Sequence, residues 1–174
     1  QAWPQVRVNL FADTTPRLLG MLADGTADLT MTTEDEPLDG DGMLLADPLV
    51  WVGATAGTAY RREPLPIALG DETCAFRACA LTALRSVSRD WRSVCETSNM
   101  GPLQTSLEAD LAVSPLLSQT VPAGLYVLPA EANLPALPTF YINLHLPPAG
   151  ASPIAAELAD HIRRHFAARY TLAA

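Results

Sequence analysis

The sequence predicts an α/β fold in which one chain forms two lobes. The first observation is that segments of helical and strand periodicity alternate, most clearly at residues 15–33, as is typical of helices packed on a largely parallel sheet. The second is an extended apolar run at residues 44–54 that contains Pro48. Because proline belongs at an edge or a break in a sheet, we expect this run to bend or to pass from one sheet to another. Residues 121–128 are predicted to return, and two such crossing segments are what a two-lobed binding protein requires.

The segment at residues 15–33 predicts a helix followed at once by a strand. Thr15 is expected to cap the helix, and Pro16 fits its first position, where no backbone N–H is needed. An apolar face and a left-handed glycine stop follow, formed by Leu18, Leu19, Leu22 and Gly25. The spacing then changes to two, which predicts a strand with Leu29 and Met31 on one side and Thr30 and Thr32 on the other.

The other elements follow from the same two periodicities. Residues 1–5 are expected to be a helix end and the loop to a first strand, and residues 134–138 a proline-braced connection. Strands are expected at residues 6–11, 64–69, 91–97, 111–113 and 140–146. Helices are expected to begin near Cys74, Ser98 and Ser152, with apolar faces formed by Ala80, Leu81 and Leu84, by Leu103 and Leu107, and by Leu158, Ile162 and Phe166.

Composition limits the function classes. The chain has 174 residues, 49% of them hydrophobic, which suits a globular domain or two small lobes. Its net charge of −8 opposes binding to phosphate backbones, so we do not expect it to hold nucleic acid by itself. No apolar run approaches the roughly 20 residues that cross a bilayer, and no signal peptide opens the chain, so no membrane partner is predicted. Three cysteines without paired spacing fit a reducing, cytoplasmic location.

Two segments resemble metal sites, and we favour the structural interpretation of both. Residues 34–42 form an acidic, glycine-containing loop, but their spacing does not match a calcium loop. His161 and His165 are four residues apart on a predicted helix, but Arg163 and Arg164 lie between them and oppose a cation. We therefore predict no metal and no cofactor.

The sequence also lacks an assembled catalytic set. It contains no Gly-x-Ser-x-Gly, no phosphate-binding glycine loop and no Gly-x-Gly-x-x-Gly. Cys74 precedes a predicted helix with Arg77 nearby, so it is the cysteine to test as a nucleophile, although an apolar packing role is favoured. His145 lies in an apolar strand and is more typical of a core or rim histidine than of a catalytic base. The chain is therefore predicted to bind a ligand without catalysis.

The predicted binding residues lie where strands end and helices begin. Free backbone N–H groups at such turns attract anions, and ligands of open α/β sheets lie at the carboxyl ends of strands. Helix capping alone explains individual members such as Thr15 and Ser98. Arg77 is expected to pair either with a ligand carboxylate or with a surface acid such as Asp71 or Glu72. The predicted effector-binding residues are Thr14, Thr15, Thr32, Thr33, Phe76, Arg77, Ser98 and Asn99.

Several segments together resemble the effector-binding domain of LysR-type transcriptional regulators. Their order and spacing carry the resemblance, and they are residues 18–29, 48–54, 64–69, 74–77, 91–97 and 122–125. The resemblance implies a type II periplasmic-binding-protein-like fold with two subdomains and two crossing segments. Subdomain I is then expected at residues 1–48 and 124–174, and subdomain II at residues 49–123.

The resemblance implies an intracellular sensor that binds a small-molecule effector in the cleft. The helix N-termini, rather than the resemblance, indicate an organic acid or an aromatic metabolite as the effector. The resemblance also implies a homodimer or homotetramer, with the helix near Leu18 and Leu22 packed on the Leu103–Leu107 helix of another subunit. DNA would be bound only through an N-terminal winged helix-turn-helix that, with the effector domain's first strand and most of its first helix, would precede residue 1. A free-standing solute-binding protein of the same fold is the alternative.

One position departs from the family pattern. The family usually has Ala-Gly-Leu after the helix that begins near Gly101, whereas this chain has Ala109, Asp110 and Leu111. Aspartate tolerates a left-handed helix stop less well than glycine does, so we expect a looser or differently shaped stop.

Overall fold

A computed structural model of the protein describes residues 6–170. The alternation of helices and strands in it confirms the predicted α/β class. The helices are α1 (Thr15–Ala23), α2 (Ala75–Ser86), α3 (Met100–Glu108) and α4 (Pro153–Tyr170). The strands are β1 (Thr30–Glu34), β2 (Met43–Ala54), β3 (Leu65–Leu69), β4 (Trp91–Glu96), β5 (Ser114–Leu117), β6 (Leu125–Val127) and β7 (Thr139–His145). Within this part of the chain, no helix is long and apolar enough to cross a membrane.

The chain divides into two compact units, one formed by Gln1–Thr32 with Leu144–Ala174 and the other by Thr33–Asn143. In the first unit, α1 occupies the predicted position and ends as predicted, because Gly25 adopts a left-handed φ of 78°. The predicted cap is wrong by one residue. Thr14 is the N-cap, and its side chain makes no capping bond. The helix therefore accommodates Thr15 and Pro16 in its first turn.

In strand β1 the threonine side chains, rather than the apolar side chains, are buried. Thr30 and Thr32 are buried, whereas Met31 is 42% exposed. Thr32 Oγ1 and His145 Nε2 lie 2.9 Å apart, so the buried hydroxyl has a polar partner on β7, the neighbouring strand. The period of two was predicted, but it does not show which side of a strand is buried, and hydrogen bonding decides it here.

The predicted strand at residues 6–11 is wrong. These residues have no assigned secondary structure, and Val8 and Leu10 are 69% and 92% exposed. A strand needs a neighbour to pair with its backbone N–H and C=O groups, and no described strand pairs with this segment. The expected helix end at residues 1–5 lies outside the described residues.

Helix α4 begins where the sequence predicted. Ser152 Oγ accepts a hydrogen bond of 3.2 Å from the backbone N–H of Ala155, and Pro153 is the first helical residue. The predicted apolar face is only half-buried at Leu158, Ile162 and Phe166, and the fully buried positions are Ala155 and Ala159. Small residues at those positions permit close packing.

The second unit is built on β2, which confirms the predicted crossing segment. Residues Met43 to Pro48 pair with β7, residues Leu49 to Val52 pair with β5, and residues Val52 to Ala54 pair with β6, all antiparallel. The partner therefore changes directly after Pro48, which has no N–H to donate to a ladder. The return at Leu125–Val127 lies within the predicted segment.

The same unit contains a parallel pair, β3 and β4, covered by α2 and α3. All five residues of β3 are buried, and Leu84 and Leu107 are the fully buried side chains with which α2 and α3 enter the core. The predicted strand at residues 111–113 is wrong in position. Only Val113 forms an isolated parallel bridge, to Ile67, and β5 begins at Ser114 as a partner of β2.

Candidate functional site

The candidate site lies in the second unit, at the carboxyl edge of β3 and β4. Because the strands are parallel and Leu69 is paired with Glu96, the chain leaves both strands side by side. The segment after β3 leads into α2 and the segment after β4 into α3. Two helix N-termini therefore begin next to one sheet edge, as the sequence predicted. This edge contains four of the predicted residues, Phe76, Arg77, Ser98 and Asn99.

Arg77 is already engaged within the protein. Its guanidinium donates to Gly70 O at 3.2 Å and forms an ion pair of 3.1 Å with Glu96. The side chain of Arg77 is 17% exposed and that of Glu96 is 44% exposed. Of the two expectations, the pairing with a surface acid is met, but the acid is Glu96 rather than Asp71 or Glu72. The hydrogen bond from Arg77 holds the pKa of Glu96 below its usual value, with a smaller effect from Ser93.

Asp71 organises the turn after β3. Its carboxylate accepts hydrogen bonds from Thr73 Oγ1 at 2.6 Å and from the Thr73 backbone N–H at 2.9 Å. These bonds hold the pKa of Asp71 below its usual value, and a weaker hydrogen bond from Ser98 acts in the same direction.

The first turn of α3 is capped by Asn99. The Asn99 side chain accepts a hydrogen bond of 2.9 Å from Gly101 N, and Thr97 Oγ1 accepts one of 3.0 Å from Asn99 N. Asn99, rather than Ser98, is therefore the N-cap. Ser98 and Asn99 are both exposed, so they can be reached by a ligand.

Phe76 and Cys74 are half-buried and contact other residues of the protein. The Phe76 ring packs edge-on against Phe140, with ring centroids 4.9 Å apart. Cys74 is the N-cap of α2 and lies so close to Gly70 that a Cβ there would be 2.6 Å from its sulfur. Burial raises the pKa of Cys79, with smaller effects from Asp35 and Cys74, which disfavours a reactive thiolate at that position.

The four remaining predicted residues are distributed over the two units. Thr14, Thr15 and Thr32 belong to the first unit, and Thr33 is the first residue of the second. Thr14 donates its backbone N–H to Asp13 at 2.8 Å, and Thr32 is buried against His145. Their participation in one site with the β3–β4 edge stays a prediction.

Sequence reasoning missed the residues that support this edge. Asp71, Thr73, Glu96 and Thr97 hold the two turns. Glu96 is the last residue of β4, Thr97 follows it, and Asp71 and Thr73 lie in the segment between β3 and α2. Their position at or after the end of a strand was the signal in the sequence that could have identified them. Two surface depressions lie elsewhere, one along α2 beside Cys79 and Pro138 and one around Trp51. Their linings are mostly apolar or small, so they offer few groups to orient a polar ligand.

Comparison with known proteins gives concordant matches. The model of the LysR substrate binding domain family matches residues 1–167. The HTH-type transcriptional regulator DgdR of Burkholderia cepacia is 30% identical over 160 residues, which are 92% of this chain and 54% of that protein. The chain thus spans about half the length of the curated relatives it matches.

Solved structures show the same fold at lower sequence identity. The regulatory domain of HypT from Salmonella typhimurium in its apo form has a TM-score of 0.74 and 18% identity, covering 95% of this chain and 85% of that one. The regulatory domain of CcmR from Synechocystis PCC6803 in complex with 2-PG has a TM-score of 0.68 and 15% identity, with coverage of 95% and 86%.

Proposed function

The chain belongs to the LysR substrate-binding domain family, and we propose that in a full-length regulator it converts the binding of a small organic effector into altered DNA binding and transcription. The family match and the relationship to DgdR make it an effector-binding domain of the LysR type. The predicted type II periplasmic-binding-protein-like fold is confirmed by the likeness to solved regulatory domains. Because the chain covers about half of its relatives, DNA binding through an N-terminal domain is part of the proposal.

The predicted subdomain boundaries are retained as part of this proposal. Residues 1–48 with 124–174 would form subdomain I, and residues 49–123 subdomain II. The change of β2 partner directly after Pro48 supports the first boundary, and the return of the chain as β6 at Leu125 supports the second.

The observation that carries the proposed effector site is the junction of two helix N-termini at the β3–β4 edge. Ser98 and Asn99 supply exposed polar groups there, and the first turn of α2 supplies backbone N–H groups. In α3 the Gly101 N–H is bonded to Asn99 and Pro102 has no N–H. Thr14, Thr15, Thr32 and Thr33 would complete the site from elsewhere in the chain. The complex of CcmR with 2-PG supports a search for a ligand, and we propose an organic acid or aromatic metabolite.

A thermal-shift screen of small organic acids, amino acids and aromatic metabolites tests this site. A ligand at about 100 times its dissociation constant stabilises the native state by roughly 2.7 kcal/mol. We expect Ser98→Ala to weaken a selective hit, since it removes an exposed hydroxyl of the edge. Ser86→Ala is the matched control, because that hydroxyl donates to Ala83 O at the far end of α2. Equal affinity in both variants would place the ligand elsewhere.

We propose binding without catalysis, in agreement with the family. Cys74 is packed against Gly70 and would be the main nucleophile of an enzyme. Alkylation of Cys74 by iodoacetamide at pH 7 should proceed no faster than that of an ordinary thiol. Rapid, selective modification of Cys74 would favour the enzymatic alternative. A free-standing solute-binding protein of the same fold would bind its ligand as a monomer and would have no DNA-binding domain in its full-length sequence.

We propose that the protein forms a homodimer or homotetramer in the cytoplasm, through a contact between subunits that differs from the one predicted from the sequence. Leu103 and Leu107 are 5% and 0% exposed in the core of their own unit, so they are not available to a second subunit. A contact through α3 would use its opposite side, where Met100 is 48% exposed. Sedimentation equilibrium of the wild type and of Met100→Ser tests this contact.

A further inference from the structure

Where β2 changes from pairing with β7 to pairing with β5, a side chain also joins β2 to the segment that follows β5. Up to Pro48 the strand is paired with β7, and from Leu49 it is paired with β5, whose last residue is Leu117. A short 3-10 turn, Ser118–Thr120, follows β5 directly. This turn therefore begins beside the residues at which β2 exchanges one neighbour for the other.

Asp47 joins β2 to that turn. Its carboxylate accepts hydrogen bonds from Ser118 Oγ at 2.5 Å and from the Gln119 backbone N–H at 3.1 Å. Asp47 is 0% exposed, and within residues 6–170 no arginine or histidine forms an ion pair with it. The carboxylate is thus buried with neutral donors that both come from one short turn.

A carboxylate in this setting depends on its donors. A buried charged group that loses a hydrogen bond has no water to replace the lost donor, so the loss is costly in free energy. The turn itself is only partly buried, since Ser118 is half-buried and Gln119 and Thr120 are exposed, and the Thr120 hydroxyl bonds to Leu117 O within the same segment. Asp47 thus supplies the side-chain hydrogen bonds that join this turn to β2.

We propose that Asp47 is a latch that holds the 118–120 turn against β2, and that this turn opens locally without unfolding of the second unit. The inference rests on the proposed function for its biological meaning. In the two-subdomain organisation that we propose, Asp47 lies in the first crossing segment and the 118–120 turn directly precedes the second, at residues 121–128, and an effector response would require the crossing segments to move. The strength of the latch would then set how readily the domain changes state.

Native-state hydrogen exchange of the full 174-residue chain tests the latch without a ligand. The reporter is the Gln119 amide, and the reference is the Ala68 amide, which donates to Val113 O at 2.9 Å in a fully buried strand. Asp47→Asn replaces one acceptor oxygen by an NH₂ group. We expect Gln119 exchange to accelerate roughly tenfold to a hundredfold, as for loss of a charged hydrogen bond, while Ala68 exchange stays the same.

Two further variants complete the test. Ser118→Ala removes one donor and leaves Asp47 in place, so it should also accelerate Gln119 exchange, and it serves if Asp47→Asn does not fold. Thr120→Ala is the matched control, because its hydroxyl donates to Leu117 O rather than to Asp47. Equal acceleration at Gln119 and Ala68, or no acceleration at Gln119, would overturn the latch. Neither result would affect the effector-binding proposal, which the ligand screen tests separately.

Discussion

Asp110 replaces the glycine that the family pattern leads one to expect, and its side chain accounts for the exchange. The residue adopts the left-handed conformation, with φ of 52°. Its carboxylate accepts hydrogen bonds of 2.9 Å from the backbone N–H groups of both Thr58 and Ala59, and forms an ion pair of 3.0 Å with Arg62. A looser or differently shaped helix stop was expected, and these contacts anchor the stop to the turn that follows β2. The strain of the positive φ is thus offset by bonds that glycine could not make.

Replacement of Asp110 by asparagine should destabilise the protein. Asparagine tolerates the left-handed conformation, so the variant isolates the loss of charge. We expect the free energy of unfolding to fall by about 1 kcal/mol, since hydrogen bonds to a charged acceptor and an ion pair that is partly exposed are weakened. Urea denaturation at pH 7 measures the change. Asp90→Asn, at an exposed position of the same unit, is the control and should leave the midpoint unaltered.

The contribution of Asp110 should also depend on pH. Burial alone would raise the pKa of this carboxyl, but the hydrogen bonds from Thr58 and Ala59, with Arg62 nearby, outweigh it and hold the pKa below its usual value. A lowered pKa in the folded state means that the stabilisation is complete above the unfolded pKa, about 3.9, and is lost as pH falls through the folded value. The difference in stability between the wild type and Asp110→Asn should therefore shrink in urea titrations below about pH 4. A difference that stays constant down to pH 2.5 would contradict this assignment.

At the scale of single elements, proline and glycine were the most informative residues. Pro48 predicted the change of β2 partner and Gly25 the end of α1, because each restricts or permits backbone geometry by itself. Alternation was less informative. Residues 6–11 alternate as a strand should but have no partner, and Val113 pairs with β3 only as an isolated bridge. Strand pairing is decided by distant segments, which no local pattern contains.

The connection between β3 and α2 gives a test at the same scale, because Gly70 is required there by contact. A Cβ at Gly70 would lie 2.5 Å from Cys74 Cβ, closer than real Cβ atoms approach. We expect Gly70→Ala to lower the free energy of unfolding by roughly 1–3 kcal/mol, as overpacking does. Gly20→Ala in α1 is the matched control, since no atom lies within 4 Å of the added methyl group.

The control should have the opposite sign. Alanine is favoured over glycine inside a helix by roughly 0.5–1 kcal/mol, so Gly20→Ala should raise the thermal midpoint while Gly70→Ala lowers it. Calorimetry of the two variants beside the wild type gives both signs. If Gly70→Ala were neutral, the turn into α2 would be adaptable and the close approach of Cys74 would not constrain the candidate site.

At the scale of the whole molecule, the order of segments predicted the family and the fold, while the site was predicted only in part. The turns that follow strands identified Ser98 and Asn99 at the β3–β4 edge. The ion pair of Glu96 with Arg77 depends on the register of β3 against β4, whereas the bond of Asp71 with Thr73 is made within one turn. Register is a tertiary property, so the sequence predicted this strand edge as a ligand site but not which of its polar groups are engaged within the protein.

The net charge of −8 leads to a last prediction, about nucleic acid. This chain alone should bind duplex DNA more weakly than about 10⁻⁴ M at physiological salt, the weak end of non-specific binding, because its field repels phosphates. Fluorescence polarisation with a labelled duplex, from 50 to 200 mM salt, measures this. The local exception is the end of α4, where Arg164 and Arg169 are exposed. Salt-sensitive binding that is abolished by Arg164→Gln with Arg169→Gln would contradict the prediction and locate a basic surface, whereas its absence is the result expected if DNA is held by another domain.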